Sequence, residues 1–295
     1  MSTYFLGIDG GATKTLARLE SAEGEIATLR ADASSLTQDL ASALHNVAGI
    51  SRDMLAKHRL DPQQVTVACG IAGAGNPLSA QRLRERLQEL RFAHVTVTSD
   101  AQTSLLGAGA GHPIVMVAIG TGSVAMRLGH DGAARQFGGW GLAIGDEGSG
   151  AAIGKSAVRA LLWELDIYGC ATTLLSRRVI ALVGRDRATI LPWLQKAGSK
   201  EYAALAPAVF DALPECELAA EIIQKTAGEV DRLISSASAG EYTLPLALLG
   251  GLADKIGPYL HADHQQRLIV PKGTALDGAC LLARRVATHV ALETA

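Results

Sequence analysis

Two glycine-rich turns, each following a short apolar run and each carrying hydroxyl side chains, lie about one domain apart in this chain of 295 residues. The first spans residues 7–15 and the second spans residues 119–123. Glycine lets backbone N–H groups converge on phosphate oxygens, and serine and threonine add hydroxyl donors. A single turn of this kind is also explained by ordinary turn chemistry. The matched pair predicts two loops that bind one polyphosphate.

Several groups in these turns could bind phosphate or a metal. The candidate phosphate ligands are Gly10, Gly11, Thr13, Lys14, Gly120, Thr121, Gly122 and Ser123. The hydroxyl of Thr15 is a further candidate donor, and Asp9 ends an apolar run where its carboxylate could hold hydrated Mg²⁺. Neither turn has the Walker A spacing, and no Gly-x-Gly-x-x-Gly follows the first apolar run. The sequence therefore argues against a Walker A nucleotide site and against a dinucleotide-binding turn.

Composition restricts the class of protein. A content of 48% hydrophobic and 19% charged residues is enough for a large core, and the length predicts two domains. The net charge of −2 without a basic cluster argues against nucleic acid as a partner. We expect a cytoplasmic protein without a membrane span, because no secretion signal and no apolar stretch of about 18 residues is evident. The four cysteines lack metal-binding spacing and are interpreted as buried thiols.

The order of predicted elements is repeated along the chain. Strands at 4–9, 15–20 and 25–29 precede a helix at 36–58, capped by Ser34 or Ser35, and then alternating strands and helices as far as 109. The second portion predicts strands at 114–119, 124–128, 244–249 and 267–270, a helix-rich insert at 149–238 and a last helix at 277–291. This weak duplication predicts two α/β lobes, 1–112 and 113–295, with a ligand cleft between them.

Four segments, at residues 7–15, 119–123, 248–251 and 275–279, resemble in their type and order the motifs of the sugar kinase, actin and Hsp70 ATPase superfamily. Within it the chain is most similar to the BadF/BadG/BcrA/BcrD-type ATPase family, which includes N-acetylglucosamine kinase and glucosamine kinase. The resemblance implies two ribonuclease H-like lobes of the actin-like ATPase type, each a mixed sheet flanked by helices, with the insert in the second lobe. It also implies ATP and Mg²⁺ as cofactors. Residues 7–15 and 119–123 look like the two phosphate motifs, Gly250 and Gly251 like the adenosine motif, and residues 275–279 like the second connecting segment.

Residues 138–150 resemble the amino-sugar kinase signature and narrow the resemblance to that group. A glycine-rich surface loop is the simpler explanation of this segment by itself, but its position just after the second phosphate turn favours a sugar pocket. Trp140 could pack on the apolar face of a pyranose, Asp146 could accept hydrogen bonds from hydroxyls, and Gly141 permits close approach. Ser34 and Ser35 fall where related amino-sugar kinases usually have an Asn that contacts the sugar, which is a departure from the family pattern. Ser35 and Gly73 are the remaining candidates for the sugar site.

Asp100 is the candidate catalytic base. Phosphoryl transfer to an alcohol needs a carboxylate that accepts the hydroxyl proton during attack on the γ-phosphoryl group. In related kinases an Asp at the start of this helix has that role, although Ser99 or Asp100 could equally be an ordinary helix cap.

The resemblance implies an ATP-dependent kinase acting on the 6-hydroxyl of N-acetylglucosamine or glucosamine. The alternative is an ATPase that activates or drives a partner enzyme, but the bridging cysteine pattern of such relatives is missing. Sugar-sensing regulators among the relatives often carry a DNA-binding helix-turn-helix segment ahead of the first phosphate loop. That loop begins at Gly7 in this sequence, so a regulator of this kind is not expected. The ROK kinases are disfavoured because Ser149, not histidine, follows Glu147-Gly148. Relatives commonly pair through their larger lobes, so a homodimer is compatible with the resemblance.

Overall fold

The computed structural model describes residues 4–293, with side chains as far as residue 289. The chain forms two compact units. The first contains Met1–Ile114, His130–Ala134 and Val270–Ala295, and the second contains Val115–Gly129 and Arg135–Ile269. Each unit is therefore built from separate stretches of sequence. The predicted lobe boundaries of this chain, 1–112 and 113–295, stay a prediction.

The first unit begins with three strands and continues with alternating helices and strands. Its elements are β1 (Tyr4–Gly10), β2 (Thr15–Ser21), β3 (Gly24–Ala31), α1 (Leu40–His58), β4 (Val65–Ile71), α2 (Pro77–Gln88), β5 (His94–Ser99) and α3 (Asp100–Ala108). The sheet has the order β3-β2-β1-β4-β5, in which β1 is antiparallel to β2 and parallel to β4. β4 is buried at every residue, as expected for a central parallel strand.

Helix α1 begins later than the sequence pattern predicts. Its cap is Asp39, whose side chain accepts a hydrogen bond from the Ser42 N–H, so the prediction that Ser34 or Ser35 caps this helix is wrong. The reason is tertiary: the N–H of Ser34 donates to the Gly11 carbonyl at 2.9 Å, which holds this segment against the β1–β2 loop. Both serine side chains are buried there.

The second unit begins with a β-meander and then becomes largely helical. Its elements are β6 (Ile114–Ile119), β7 (Ser123–Leu128), β8 (Ala134–Gly138), α4 (Gly150–Tyr168), α5 (Leu174–Val183), α6 (Arg187–Lys196), α7 (Ser199–Ala203), α8 (Ala206–Ala212), α9 (Glu217–Ser238), β9 (Leu246–Leu249), α10 (Ala253–Ile256) and α11 (Ala262–Gln265). The sheet order is β8-β7-β6-β9, with β6 parallel to β9. This repeats the order of the first four strands of the first sheet and confirms the predicted duplication.

The predicted strand at 267–270 is wrong. Only an isolated bridge joins Leu246 to Leu268, so in the part of the chain that the structure describes the second sheet has four strands. After this bridge the chain enters the first unit, where α12 (Ala275–Glu293) packs on β1 and α3. The contact is close because glycines face it: a Cβ added at Gly278 would lie 1.9 Å from the Thr103 carbonyl oxygen.

The predicted α/β class, with two mixed sheets flanked by helices and a helical insert, is confirmed. Each unit has its own apolar core. Three cysteines are buried as predicted, but Cys170 is exposed just after the end of α4, so that part of the prediction is wrong. Among residues 4–293, no helix combines the length and apolar character needed to cross a membrane.

Candidate functional site

The first unit places the predicted base, Asp100, and the predicted metal ligand, Asp9, at the carboxyl ends of its parallel strands. The register aligns Gly10 of β1 with Ile71 of β4, and Ile71 with Ser99 of β5. Asp9 and Asp100 are the chain neighbours of two of these aligned residues, so both carboxylates belong to the same edge of the sheet. In open α/β sheets, ligands bind at this edge.

The pKa of Asp9 and the pKa of Asp100 are both raised. Burial raises the pKa of Asp9, the negative charge of Asp100 raises it further, and Lys14 lowers it, so that the pKa lies above its ordinary value. Burial also raises the pKa of Asp100, against the opposing effect of the Ala101 N–H, which donates to its carboxylate at 2.9 Å. A half-buried carboxyl with a raised pKa is typical of a catalytic base. Asp100 is the first residue of α3, but the cap is Ser99, whose Oγ accepts from the Gln102 N–H.

The β1–β2 loop is held by its own hydrogen bonds. The N–H of Gly11 donates to the Lys14 carbonyl at 3.0 Å. The Thr15 hydroxyl is buried and lies 2.6 Å from the Asp32 carbonyl oxygen, so the suggestion that it is a free donor for phosphate is wrong. Thr13 and Lys14 are exposed at the tip of this loop and stay the candidate phosphate ligands.

The structure brings the two sugar-site candidates of this unit together. Gly73 follows β4 with φ +89°, and a Cβ placed there would lie 2.9 Å from the Thr37 N atom. Ser35 is buried in the adjoining β3–α1 loop, with its Oγ 3.1 Å from the Thr37 Oγ1. The two loops are joined because the Leu36 N–H donates to the Ala72 carbonyl at 2.9 Å. Both loops therefore lie at the strand ends that carry Asp9 and Asp100.

In the second unit, the turn between β6 and β7 is fixed by contacts with the start of α4. The N–H of Gly120 donates to the Gly122 carbonyl, and the N–H of Gly150 donates to the Gly120 carbonyl at 2.8 Å. The buried Ser123 hydroxyl donates to the Glu147 carbonyl at 2.7 Å and so stabilises the turn. Thr121 is exposed and keeps a hydroxyl available for a phosphate.

A cavity of about 390 Å³ joins this turn to the predicted adenosine motif. Gly120, Thr121 and Gly251 line it, although they lie about 130 residues apart in the sequence. Its other lining residues are Gly150, Ala203, Ala206, Pro207, Phe210, Leu252 and Lys255. The cavity has the size and mixed polarity of a small-molecule site. The Nζ of Lys255 lies 4.9 Å from the centroid of the Phe210 ring, which places a cation at the cavity wall.

Gly250 is required where the motif meets the end of β6. Its φ is +93°, and an added Cβ would lie 2.3 Å from the Ile119 carbonyl oxygen. The same carbonyl accepts the Leu252 N–H at 3.1 Å. A Cβ added at Gly251 would meet no atom within 4 Å, so this glycine leaves open space in the cavity.

Asp146 lies against the second phosphate turn. It has φ +59° and is buried, and a Cβ added at Gly122 would lie 3.1 Å from its Oδ2. Burial raises its pKa, the N–H groups of Ser123 and Gly141 oppose that change by donating to the carboxylate, and the charge of Glu147 raises the pKa further. The carboxylate thus lies beside the turn, where the backbone of Ser123 and Gly141 lowers its pKa.

Trp140 faces a different space. Its side chain is 79% exposed and lines a second cavity, of about 510 Å³, over α9. Asp146 is not among the residues that line this cavity. The structure therefore does not bring the two predicted sugar ligands of the signature segment together in one pocket.

Sequence reasoning missed Phe210 and Lys255, which come from the helical insert and from α10. No motif marks Phe210, since it lies in an ordinary amphipathic helix. Lys255 follows Gly251 by four residues, and this short separation is the one signal that could have suggested it.

The chain is similar to amino-sugar kinases along nearly its whole length. A profile of the BadF/BadG/BcrA/BcrD ATPase family matches residues 6–283. A solved structure from Chromobacterium violaceum, described as a candidate N-acetylglucosamine kinase, is 32% identical and has a TM-score of 0.83, covering 96% of this chain and 99% of its own. A glucosamine kinase of Vibrio cholerae is 28% identical over 95% of each chain. An N-acetylmuramic acid/N-acetylglucosamine kinase of Clostridium acetobutylicum is 25% identical, over 95% of this chain and 98% of its own.

Proposed function

Because this chain belongs to the BadF/BadG/BcrA/BcrD ATPase family, we propose that it is an ATP-dependent amino-sugar kinase that phosphorylates the 6-hydroxyl of N-acetylglucosamine or glucosamine. Kinases of these two sugars are among its relatives. The single observation that carries the proposal is the half-buried Asp100 carboxyl, whose pKa is raised, at the strand edge that also bears the first phosphate turn.

Asp100 accepts the proton of the sugar hydroxyl. As the hydroxyl oxygen forms its bond to the γ-phosphorus, the bond from phosphorus to the bridging oxygen of ADP breaks and the proton passes to the Asp100 carboxylate. The Ala101 N–H fixes one carboxylate oxygen through the hydrogen bond at 2.9 Å. Burial raises the proton affinity of the carboxylate relative to an exposed Asp, which favours proton acceptance.

Asp9 is proposed to hold Mg²⁺ through water. Mg²⁺ keeps several of its waters and is usually bound through one or two carboxylates together with substrate phosphates. The residues fit, since Asp9 lies close enough to Asp100 for the second carboxylate to raise its pKa, and a cation would relieve that repulsion. When bound, the ion neutralises charge on the phosphate oxygens.

The second unit is proposed to bind the nucleotide. Thr121 and the backbone of Gly120, Gly122 and Ser123 would contact phosphates, and Gly250 and Gly251 would leave room for the adenosine. The cavity of about 390 Å³ supports this assignment because it contains residues of both motifs. Lys255 adds a cation at its wall. In the first unit, Gly10, Gly11, Thr13 and Lys14 would contact phosphates.

The amino sugar is proposed to contact four residues. Asp146 and Gly141 would contact it from the signature segment, whereas Trp140 lines the separate cavity over α9. The remaining contacts, Ser35 and Gly73, belong to loops of the first unit. Three further expectations stay predictions: a cytoplasmic location, no binding of nucleic acid, and pairing with a second copy of the chain.

A coupled assay of ADP release tests the function. The assay compares glucosamine, N-acetylglucosamine, glucose and N-acetylmannosamine, and the proposal expects ADP release that depends on one of the two amino sugars first named. Release of ADP at the same rate without any sugar would favour the alternative of an ATPase that serves a partner enzyme.

Replacing the base, Asp100→Asn, tests the mechanism. General base catalysis typically contributes about 10²- to 10⁴-fold, so kcat should fall by roughly that factor while ATP binding is retained. Because the pKa of Asp100 is raised and the base acts when ionised, kcat/KM of the parent protein should fall as the pH drops through a pKa that lies above the ordinary value for Asp. That acid limb should be absent from Asp100→Asn.

Asp39→Asn is the matched control, because Asn caps a helix about as well as Asp. Its activity should equal that of the parent protein. An Asp100→Asn variant with full activity, or one that keeps the acid limb, would refute the assignment of the base.

A further inference from the structure

The two side chains of the signature segment that were predicted to bind one sugar face different spaces. Asp146 is buried beside the second phosphate turn, with its Oδ2 3.1 Å from the position of a Cβ added at Gly122. Trp140, six residues earlier, is exposed and lines the cavity of about 510 Å³ over α9. A single pyranose ring bound by Asp146 therefore leaves this second cavity without an occupant.

The second cavity lies between the signature segment and α9. Its lining residues are Gln136, Phe137, Gly138, Trp140, Glu147, Glu229, Arg232, Leu233 and Ser236. Gly138, with φ +66°, approaches α9 so closely that an added Cβ would lie 2.9 Å from the Leu233 Cδ1. The Gly148 N–H donates to the Glu229 Oε2 at 3.0 Å and joins the other end of the segment to the same helix. Both ends of the loop are thus attached to α9.

The charges of the cavity restrict what it can bind. Glu147 and Glu229 contribute two carboxylates and Arg232 one guanidinium, so an anionic group is disfavoured. Within residues 4–289, the Arg232 guanidinium makes no ion pair, and Glu229 has only a long contact of 4.0 Å to the Lys225 Nζ besides its backbone hydrogen bond. Carboxylates that accept, a guanidinium that donates and an exposed indole form a set that suits the hydroxyls and the apolar face of a sugar ring.

We infer that this cavity binds a second pyranose ring, attached to the amino sugar that is phosphorylated, so that the protein accepts disaccharides of amino sugars. The inference rests on the proposed function, because it takes Asp146 as a ligand of the first ring. In the second cavity Arg232 donates hydrogen bonds to oxygens of the added ring, Glu147 and Glu229 accept from its hydroxyl or amino groups, and Trp140 covers its apolar face.

The test compares a monosaccharide with disaccharides in the parent protein and in Arg232→Ala. N-acetylglucosamine and glucosamine are compared with their β-1,4-linked dimers. We expect at least one dimer to have a higher kcat/KM than its monomer. Because Arg232 makes charged hydrogen bonds only to the second ring, Arg232→Ala should lower kcat/KM for that dimer by about tenfold and leave the value for the monomer within about twofold. Arg159→Ala, which removes an exposed arginine outside this cavity, is the control and should change neither value.

Binding measured by calorimetry separates this inference from the proposed function. If neither monomer nor dimer is phosphorylated, the proposed function fails, and the cavity is still tested by whether the dimer binds more tightly than the monomer and whether Arg232→Ala abolishes the difference. If the protein phosphorylates the monomers, but no dimer is bound or phosphorylated better than its monomer, the inference is overturned and the proposed function stands. An equal loss for monomer and dimer in Arg232→Ala would also overturn it.

Discussion

A buried carboxylate of α4, outside the proposed site, is surrounded by hydrogen-bond donors. Glu164 is 7% exposed, yet its carboxylate accepts hydrogen bonds from five donors at the start of α5. Three of these are the Thr172, Thr173 and Ser176 hydroxyls, and two are backbone N–H groups. The change considered is Glu164→Gln, which keeps the size of the side chain and removes its charge.

The magnitude follows from the pKa of the carboxyl. Burial by itself would raise it, but the hydrogen bonds from Ser176, Thr173 and Thr172 outweigh burial and lower the pKa from 4.5 to about 2. That difference corresponds to about 3 kcal/mol of stability carried by the ionised form at neutral pH. A glutamine presents one oxygen and two N–H donors to a set of five donors. Glu164→Gln should therefore lower the free energy of unfolding by about 3 kcal/mol at pH 7.

The sign of the pH dependence is also determined. Because the pKa is lower in the folded protein than in the unfolded chain, the stabilisation is complete above pH 4.5 and is lost as the pH falls from 4.5 towards 2. Urea unfolding of the parent protein and of Glu164→Gln, followed by circular dichroism, should show curves that differ at pH 7 and converge near pH 2.

Glu221→Gln serves as the control, because Glu221 is exposed on α9. This substitution should change the free energy of unfolding by less than about 0.5 kcal/mol. The reasoning would be refuted by a Glu164→Gln variant as stable as the parent protein at pH 7. A difference in stability that persisted undiminished at pH 2 would refute it as well.

Two further predictions concern the cavity proposed for the nucleotide. Gly250→Ala should lower the free energy of unfolding by about 2 kcal/mol or more, because the added Cβ would strike the Ile119 carbonyl oxygen and the residue has a left-handed φ. Thermal unfolding measures this loss. Gly251→Ala is the control and should be as stable as the parent protein, because a Cβ at this position meets open space. Equal destabilisation by both changes would contradict the explanation. Lys255→Ala should weaken ATP binding about tenfold and reduce its dependence on salt, measured by calorimetry at two ionic strengths. Unchanged affinity would remove Lys255 from the nucleotide site.

Short-range patterns in the sequence predicted most of the fold. The strands β4 and β6 begin and end where the apolar runs do, and the three strands that open the first portion were predicted from the turns between them. The strand β8 was not among the predicted strands of the second portion. The start of α1 was misplaced because loop contacts, such as that of Ser34 with Gly11, override the local capping signal. The prediction of a strand at 267–270 was wrong because this apolar run pairs with β9 through one bridge only, and the chain enters the first unit at Val270.

The sequence by itself determined the types of chemical group that this protein can use: two glycine turns with hydroxyls, carboxylates at strand ends, and a signature loop that contains Trp140 and Asp146. Those are properties of adjacent residues, so they are readable without coordinates. Only the tertiary structure decided which groups share a space. It joined Gly120 to Gly251 in one cavity and assigned Trp140 and Asp146 to different surroundings, because distances between residues far apart in the chain depend on how helices and strands pack, which no local pattern encodes.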